Sequence, residues 1–404
     1  MSIQQGINKT VVYKKQSALG TQAPGGAATG QKIRRETASF NLAKSTFDNK
    51  EIASHQQSSG ITHGLRSTTG TIAGVLSPNT YSEFFGSLLR KVFTATTSLT
   101  ALSITLAGSP GAYTCTATGF LTSGLKIGDV FRITAGTTNA DTQNKNFLIT
   151  NVTATVITFK VVNGSTITTG AGTGVTIAIP GKKSYAASTS QTKEYWTIEE
   201  WFNDITVSDQ YVDTMVSSVD VGLPSEGNAT VSFGFAGLEK VSATSQYFTS
   251  PAAETTTSVL TAVNGILLVN GVAIGNVTGA SIKIDCGAAN MGAVVGSDNS
   301  PDIQRGRINV SGQLTAFFQD SAFTTLFDAA TNFGIVLVVA ADNTAAAEFV
   351  TFSMSSVKFS GDSKDDGEKG LVQTLPFTAQ INASGGAALA NDLTIISIQD
   401  SQAA

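Results

Sequence analysis

The chain has 404 residues, of which 41% are hydrophobic and only 13% charged, with a formal net charge of -4. That composition allows a sizeable core. It lacks the surface charge, about a quarter of residues in ordinary domains, that keeps soluble monomers apart, so much of the surface is expected to face other protein. Two cysteines, Cys115 and Cys286, exclude a disulfide framework and a CxxC metal knuckle, and are expected as free, partly buried thiols of a chain folded in a reducing cytoplasm. No apolar run approaches the ~20 residues of a membrane-spanning helix, so no membrane anchor is expected, and the N-terminus lacks the apolar stretch of a signal peptide.

Charge is unevenly spread. Residues 1–95 carry 11 Lys/Arg and 4 Asp/Glu, residues 96–182 carry 5 and 2, and residues 183–404 carry 9 and 23. A basic front and an acidic back favour head-to-tail association of copies.

In chain order, residues 1–30 are expected as an N-terminal arm, with "SALGTQAPGGAATGQK" (17–32) a mobile Gly/Ala-rich loop. "SPNTYSEFFGSLLRKVF" follows a strand pattern. Tyr81, Phe84, Phe85, Leu88 and Leu89 share one helical face, and Thr80 with Glu83 makes a capping box. "FFQDSAFTTLFDAATNFG" repeats that spacing with Phe323, Leu326, Phe327 and Ala330, capped by Asp320 or Ser321.

These helices belong to a repeat. Ser39, Leu42, Gly64, Gly70, Leu76, Tyr81, Phe84 and Phe85 map at a constant offset of 242 onto Ser281, Ile284, Gly306, Gly312, Phe318, Phe323, Leu326 and Phe327. Beyond the helix the offset falls to 138, so that Tyr211, Val216, Val219 and Val221 meet Phe349, Met354, Val357 and Phe359. The expected organisation is a first fold over 31–93 with 195–240, a linker over 241–277, a second fold over 278–390 and a C-terminal arm over 391–404. The first copy holds about 104 residues that the second lacks. That segment, 95–183, has strand patterns such as "GLKIGDVFRIT" and few helix formers, and is expected as a small all-β domain on the outer surface, dispensable for assembly. The fold class is therefore mainly β (α+β): tandem sandwich or barrel folds, each with one short helix, and an inserted all-β domain. "FGIVLVVAA" (333–341) reads as one buried strand.

Catalytic chemistry finds no foothold. His55 and His63 lie in a Ser/Gly-rich loop without acidic or cysteine neighbours, no GxxxxGK[ST] motif occurs, and "GAANMGAVVG" lacks the strand-to-helix context of a nucleotide site. "GDSKDDGEKG" (361–370) lacks the ligand order of a calcium loop and reads as a hairpin tip, with "LPSEGN" in its place in the first copy. No enzymatic activity, metal or cofactor is expected.

"EYWTIEEWFNDI" (194–205) holds both tryptophans. In a strand, Trp196, Ile198, Glu200 and Phe202 share one face, while Tyr195, Thr197, Glu199 and Trp201 share the other. Two bulky faces suggest a strand packed on its own helix on one side and on a neighbouring subunit on the other. Tyr195, Trp196, Trp201 and Phe202 are thus candidate inter-subunit contacts. The segment resembles the Y-T-I-E-E-W stretch of tail tube proteins from long-tailed, non-contractile bacteriophages. "VYKKQSALGTQA", "GLRSTTGTIAGVLSPNTYSEFF" and "LPSEGNATVSFGFAG" are similar to that family in order and spacing.

The resemblance implies a virion protein, assembled in the host cytoplasm, that forms stacked rings around a channel. It implies a tape measure protein and a tail terminator as partners, and double-stranded DNA that passes without specific binding. With two copies of the fold per chain, a trimeric ring of pseudo-sixfold symmetry is expected rather than a hexamer. The clustered Glu199, Glu200, Asp204, Asp209, Asp213 and Asp220 are candidates for an acidic channel wall that repels the duplex. The other reading is a different virion or surface β-protein, a head decoration or adhesin-like module, which would form shells or monomers.

Overall fold

A computed structural model describes residues 3–52, 54, 57, 60–162, 166–366, 368, 370–382 and 393–403. Its first part contains β1 (Lys9–Lys15), β2 (Ala27–Lys32), β3 (Thr37–Asp48), β4 (Ile61–Val75) and α1 (Ser82–Leu89). There follow β5 (Leu99–Ser109), β6 (Ala112–Thr116), β7 (Val130–Ala135), β8 (Phe147–Val152), β9 (Val156–Val161) and β10 (Gly170–Ala178), which close into a barrel, and β11 (Lys182–Tyr185) outside it. The chain then returns to the main sheet with β12 (Trp196–Phe202), β13 (Val207–Leu223), β14 (Thr230–Gly237), β15 (Glu239–Ala243) and β16 (Ser250–Ala252). The last part contains β17 (Thr261–Val269), β18 (Val272–Ala273), β19 (Val277–Asp285), β20 (Ala289–Asn290), β21 (Ile303–Gln304), β22 (Asn309–Phe317), α2 (Ala322–Asp328), β23 (Phe333–Ala340), β24 (Phe349–Phe359), β25 (Ser363–Lys364), β26 (Val372–Ala379) and β27 (Ser397–Asp400).

The pairing repeats. In the first unit β1 pairs β12, β12 pairs β13, β13 pairs β14, β14 pairs β4 and β4 pairs β3. In the second, β17, β23, β24, β26, β22 and β19 pair in the same sequence. At the centre of each stands a glycine that an aromatic ring crowds. A Cβ on Gly70 would sit 2.0 Å from the Phe40 ring, and one on Gly312 would sit 2.4 Å from the Phe377 ring, so neither place admits a side chain.

Following partners outward from these glycines corrects part of the expected alignment. Gly70 pairs Phe235, which pairs Val216, while Gly312 pairs Phe377, which pairs Phe359. Five residues back along each strand, Tyr211 pairs Ile198 and Met354 pairs Ile335. Val216 therefore corresponds to Phe359 and Tyr211 to Met354, and the offset is 143 on this strand, whereas on the preceding one it is 137. The connection before β24 is longer by the difference. Nearly all of β24 is buried, so its pattern does not mark a register, and the shared "SSV" misaligned it.

Three stretches expected to be loose are built into the sheets. The N-terminal arm contains β1, whose Val11, Val12 and Tyr13 are buried. The stretch 241–277 contains β16 and β17, and β17 is the second unit's counterpart of β1. The C-terminal β27 lies between β24 and β11.

α1 is almost wholly buried, and Phe84 lies 5.2–5.6 Å from Trp196, Phe233 and Phe235. The expected capping box does not form: Tyr81 is the N-cap residue, Thr80 bonds instead to Ser77 and Thr255, and Glu83 accepts from Tyr13. Burial pushes the Glu83 carboxyl above its usual range. α2 shares the spacing but lies at the surface, with Phe323, Leu326 and Phe327 half-buried. The Asp320 carboxylate accepts the Ala322 N–H at 2.9 Å.

The barrel has its own aromatic core, with the rings of Phe131, Phe147 and Phe159 4.8–5.3 Å apart. Outside that core, Val130, Leu148 and Val162 pack on Leu268, Val336, Val338, Ala340 and Phe349 of the second unit. Arg132 and Asn146 add hydrogen bonds to the carbonyls of Ala346 and Ala347, and Gln399 bonds both backbone groups of Val130. The insertion thus covers the outer face of β23, and its dispensability does not follow. Each valine or leucine uncovered there costs about 1.5–3 kcal/mol of lost burial. Replacing residues 99–178 by a short Gly/Ser linker is expected to give aggregated protein. Adding Leu268→Thr, Val336→Thr and Val338→Thr is expected to restore solubility, as measured by the soluble fraction on size-exclusion chromatography.

Candidate assembly interface

β12 is held on both faces by its own chain. On one face Trp196, 1% exposed, meets Phe84 of α1 at 5.4 Å and Tyr13 of β1 at 5.7 Å, and its indole N–H donates to Ser87 Oγ. Ile198 is buried beside it. On the other face Thr197 and Glu199 are fully buried under residues 22–23 and 247–248. Thr197 Oγ1 accepts the Ala23 N–H. The Glu199 carboxylate accepts the N–H groups of Tyr247 and Phe248 at 2.7 and 2.9 Å and the Ser208 hydroxyl at 2.6 Å. A carboxylate is an acceptor with two oxygens, so it can tie down backbone that has only N–H groups to offer.

The six candidate acids are placed accordingly. Glu200 is buried against Lys9 at 2.6 Å, and burial holds its carboxyl above the usual range despite that partner. Asp213, also raised by burial, accepts the Gly20 N–H. Asp204 binds Gln5 and Asn8 of the N-terminal segment, and Asp209 binds Lys240 and Ser242. Asp220 alone of the six is well exposed, 3.8 Å from Lys283. Glu199, Glu200 and Asp213 thus serve inside the chain and have no surface to turn toward a channel. Of the candidate contacts, Trp196 is core and Tyr195 is buried with its hydroxyl on Asp302, whereas Trp201 and Phe202 keep half-exposed rings.

The junction between the two units shows how one fold meets the next. The C-terminal half of β13 pairs β14 along one edge and β19 along the other, from Ser218 opposite Asp285 to Leu223 opposite Ala280. Beside it the Cys286 thiol donates to the Val216 carbonyl, and burial pushes this thiol up, as it pushes Cys115 up to about 12. Residues 286–308 then reach back over the first unit. Asp298 pairs Arg66, Asp302 pairs Lys193 and accepts from Tyr195, and the Gly306 carbonyl accepts from Arg90. Sequence reasoning missed this strap, although the density of Asp, Asn and Arg in "SDNSPDIQRGR" is its signal.

Among the described residues no three His, Cys, Asp or Glu are grouped to hold a metal ion, and no helix is long and apolar enough to cross a membrane. His63 is exposed, and His55 lies outside the described residues. In the 361–370 stretch, Asp362 binds Thr324, Lys364 and Gln373; Gly367 and Lys369 lie outside the described residues.

Asp400, in β27, accepts the N–H groups of Asn79 and Gln402, and its burial raises the pKa to about 6. A raised carboxyl contributes stability that is complete below the unfolded value and is lost as pH rises through the folded one. The expected outcome is that wild-type thermal midpoints fall from pH 4 to pH 6 more steeply than those of Asp400→Asn. Trp196→Ala is expected to cost ~3–5 kcal/mol in denaturant unfolding of the unassembled subunit, as for a core aromatic; an unchanged subunit with impaired assembly would instead mark Trp196 as a contact.

A protein-family model described as phage tail tube protein matches residues 6–379, spanning both units and the barrel. No curated protein sequence matches the chain.

Proposed function

The chain belongs to the phage tail tube protein family and is a structural component of the virion tail, and we propose that it self-assembles into stacked rings whose channel carries the genome during delivery. One observation supports this above others. A continuous sheet runs β3, β4, β14, β13, β19, β22, β26 and then β24 with its continuation β25, across both units. One face is core, carrying Phe40, Ile72, Phe233, Val221, Ile282, Leu314 and Leu375. The opposite face alternates with it and carries Ser39, Asn41, Thr71, Ser232, Ser281, Gln313 and Thr378, with Asp220, Lys283 and Asp285 near its centre and Lys358 beside Thr378 at the β24 end.

This face is the proposed channel wall. Its hydroxyl and amide groups replace the acidic wall expected from the sequence, because most of those acids are engaged within the chain. The logic of weak adhesion stays the same. DNA is retained where cations neutralise phosphates and release counterions, and this face offers two lysines, Lys283, which has a carboxylate beside it, and Lys358 at the β24 end. Three chains per ring would set twenty-four strands around the axis. With strands ~4.8 Å apart and tilted ~40°, the wall is about 50 Å across between backbones, which leaves a duplex room after side chains and hydration. The barrel, on the far side of the second unit, would decorate the outside three times per ring.

Negative-stain images of purified protein are expected to show tubes of stacked rings, with three chains per ring on symmetry analysis. Six chains per ring would overturn the trimer, and shells or monomers would favour a head decoration or adhesin-like protein. In assembled tubes, Thr71→Lys with Ser232→Lys is expected to create DNA retention that is strong at low salt and lost at high salt, while wild-type tubes retain little at either.

A further inference from the structure

One concave surface has no part in the reading above. It is a cleft of about 520 Å³ where the barrel joins the first unit, within the size range of small-molecule sites. Four segments wall it: residues 94–97 on the way into β5, the 123–126 loop ahead of β7, β11 on the way out of the barrel, and residues 393–397 leading into β27. Hydrogen bonds fix these walls. Thr94 and Lys183 exchange backbone bonds of 2.8 and 2.9 Å, and Lys183 Nζ holds the loop through Asp129 at 2.7 Å and the Gly124 carbonyl at 3.2 Å. Tyr185 stands opposite Ser397 across the β11–β27 ladder. Lys91 lies against the Tyr185 ring, 3.6 Å from its centroid, and donates to its hydroxyl, yet the residue stays 38% exposed.

Thr and Ser coat much of this chain, so hydroxyls alone carry no argument. Here they converge in a concave place beside an exposed ring. The side chains of Thr94, Thr96, Thr97, Ser188 and Ser397 make no hydrogen bond to another described residue, and each hydroxyl offers one donor and two acceptor positions. No carboxylate lines the cleft, so it has nothing to hold a metal ion or an amine. Its apolar side chains are only Leu393 and Ala95, too few to anchor a hydrophobic peptide. Lys183 is engaged by Asp129, so an anion would meet Lys126 at most. What fits is a ligand rich in hydroxyls with an apolar C–H face to lay on an aromatic ring. We propose that the cleft binds a short run of neutral sugar residues, with a pyranose C–H face on Tyr185 and the sugar hydroxyls on the five side chains named above. The binding does not depend on ring formation. Its use rests on the tube reading: a tube that repeats the cleft once per chain, beside an outward barrel, turns a weak single site into firm adhesion to a polysaccharide-coated surface.

The test is biolayer interferometry of the full, unassembled chain on immobilised glucan, xylan, mannan and chitin hexasaccharides, with an alginate hexasaccharide as the acidic arm, each at low and high salt. Using the free chain keeps the result separate from whether tubes form. Saturable binding to at least one neutral hexasaccharide, insensitive to salt, is expected. Tyr185→Ala, and separately Thr96→Val with Ser397→Ala, are expected to weaken it about tenfold or more, while Tyr185→Phe, which keeps the ring, stays within about twofold of wild type. Thermal midpoints matching wild type show that the variants are folded, and the Thr96/Ser397 pair decides the matter should Tyr185→Ala not fold. Binding that survives these substitutions would place the sugar elsewhere and overturn the assignment. Binding to alginate alone that fades at high salt would mark a patch for anions and overturn it too, as would no binding to any of the hexasaccharides. None of these outcomes bears on the tube reading, which the images of assembled protein decide.

Discussion

The structure depends on one long strand. β13 runs 17 residues, and its two halves belong to different neighbourhoods: the N-terminal half lies between β12 and β15, and the C-terminal half lies between β14 and β19. The first unit closes around the N-terminal half, and the second unit is attached along the C-terminal half. Alternation makes this possible. Val219, Val221 and Leu223 enter the core while Ser218, Asp220 and Gly222 face away, so the same stretch supplies one unit's core and the join between two units. A register slip of one residue would turn Asp220 into the core and Val221 out of it, and the hydrophobic pattern therefore guards the junction as strongly as it guards the fold.

The second recurring problem is the outer face of the strand that precedes β13 or β24. Each unit solves it differently. β12 presents Thr197 and Glu199, and the chain lays its own 22–23 and 247–248 backbone over them, with N–H groups satisfied by the hydroxyl and the carboxylate. β23 presents Val336 and Val338, and the inserted barrel covers them with Val130, Leu148 and Val162. A polar cover requires every buried donor to find an acceptor, and Glu199 supplies that at the expense of burying a charge. An apolar cover needs only matched surface, which a separately folded barrel can provide.

The helices show the same divergence. Phe84 and Phe85 of α1 are buried among Trp196, Phe233 and Phe352, whereas Phe323 and Phe327 of α2 remain half-exposed. One spacing of aromatic residues thus serves as a core helix in one unit and a surface helix in the other. The difference lies in what stands opposite: β12 offers Trp196, and β23 offers the smaller Phe333 at the equivalent place.

Much was legible in the sequence because it is local. The helical spacing of Tyr81, Phe84, Phe85, Leu88 and Leu89, the alternation of "ATVSFGFAG", the glycines at 70 and 312 and the β-rich insertion each lie within a few residues of the structure they specify, and the 242-residue offset tied the copies together. The resemblance to tail tube proteins rested on ordered segments of this kind. What the tertiary structure decided concerns partners distant in the chain. Glu199 and Glu200 read as surface acid until backbone 48 residues away and Lys9 nearly two hundred residues away close over them. The 241–277 stretch read as linker because the strands that pair β16 and β17 lie far off in sequence. The register of β24 could not be read at all, since a strand buried on both faces shows no alternation and only its hydrogen-bonded neighbours distinguish one placement from another. Sequence pattern states what each residue prefers; which segment arrives to meet that preference is settled by the closing of the fold.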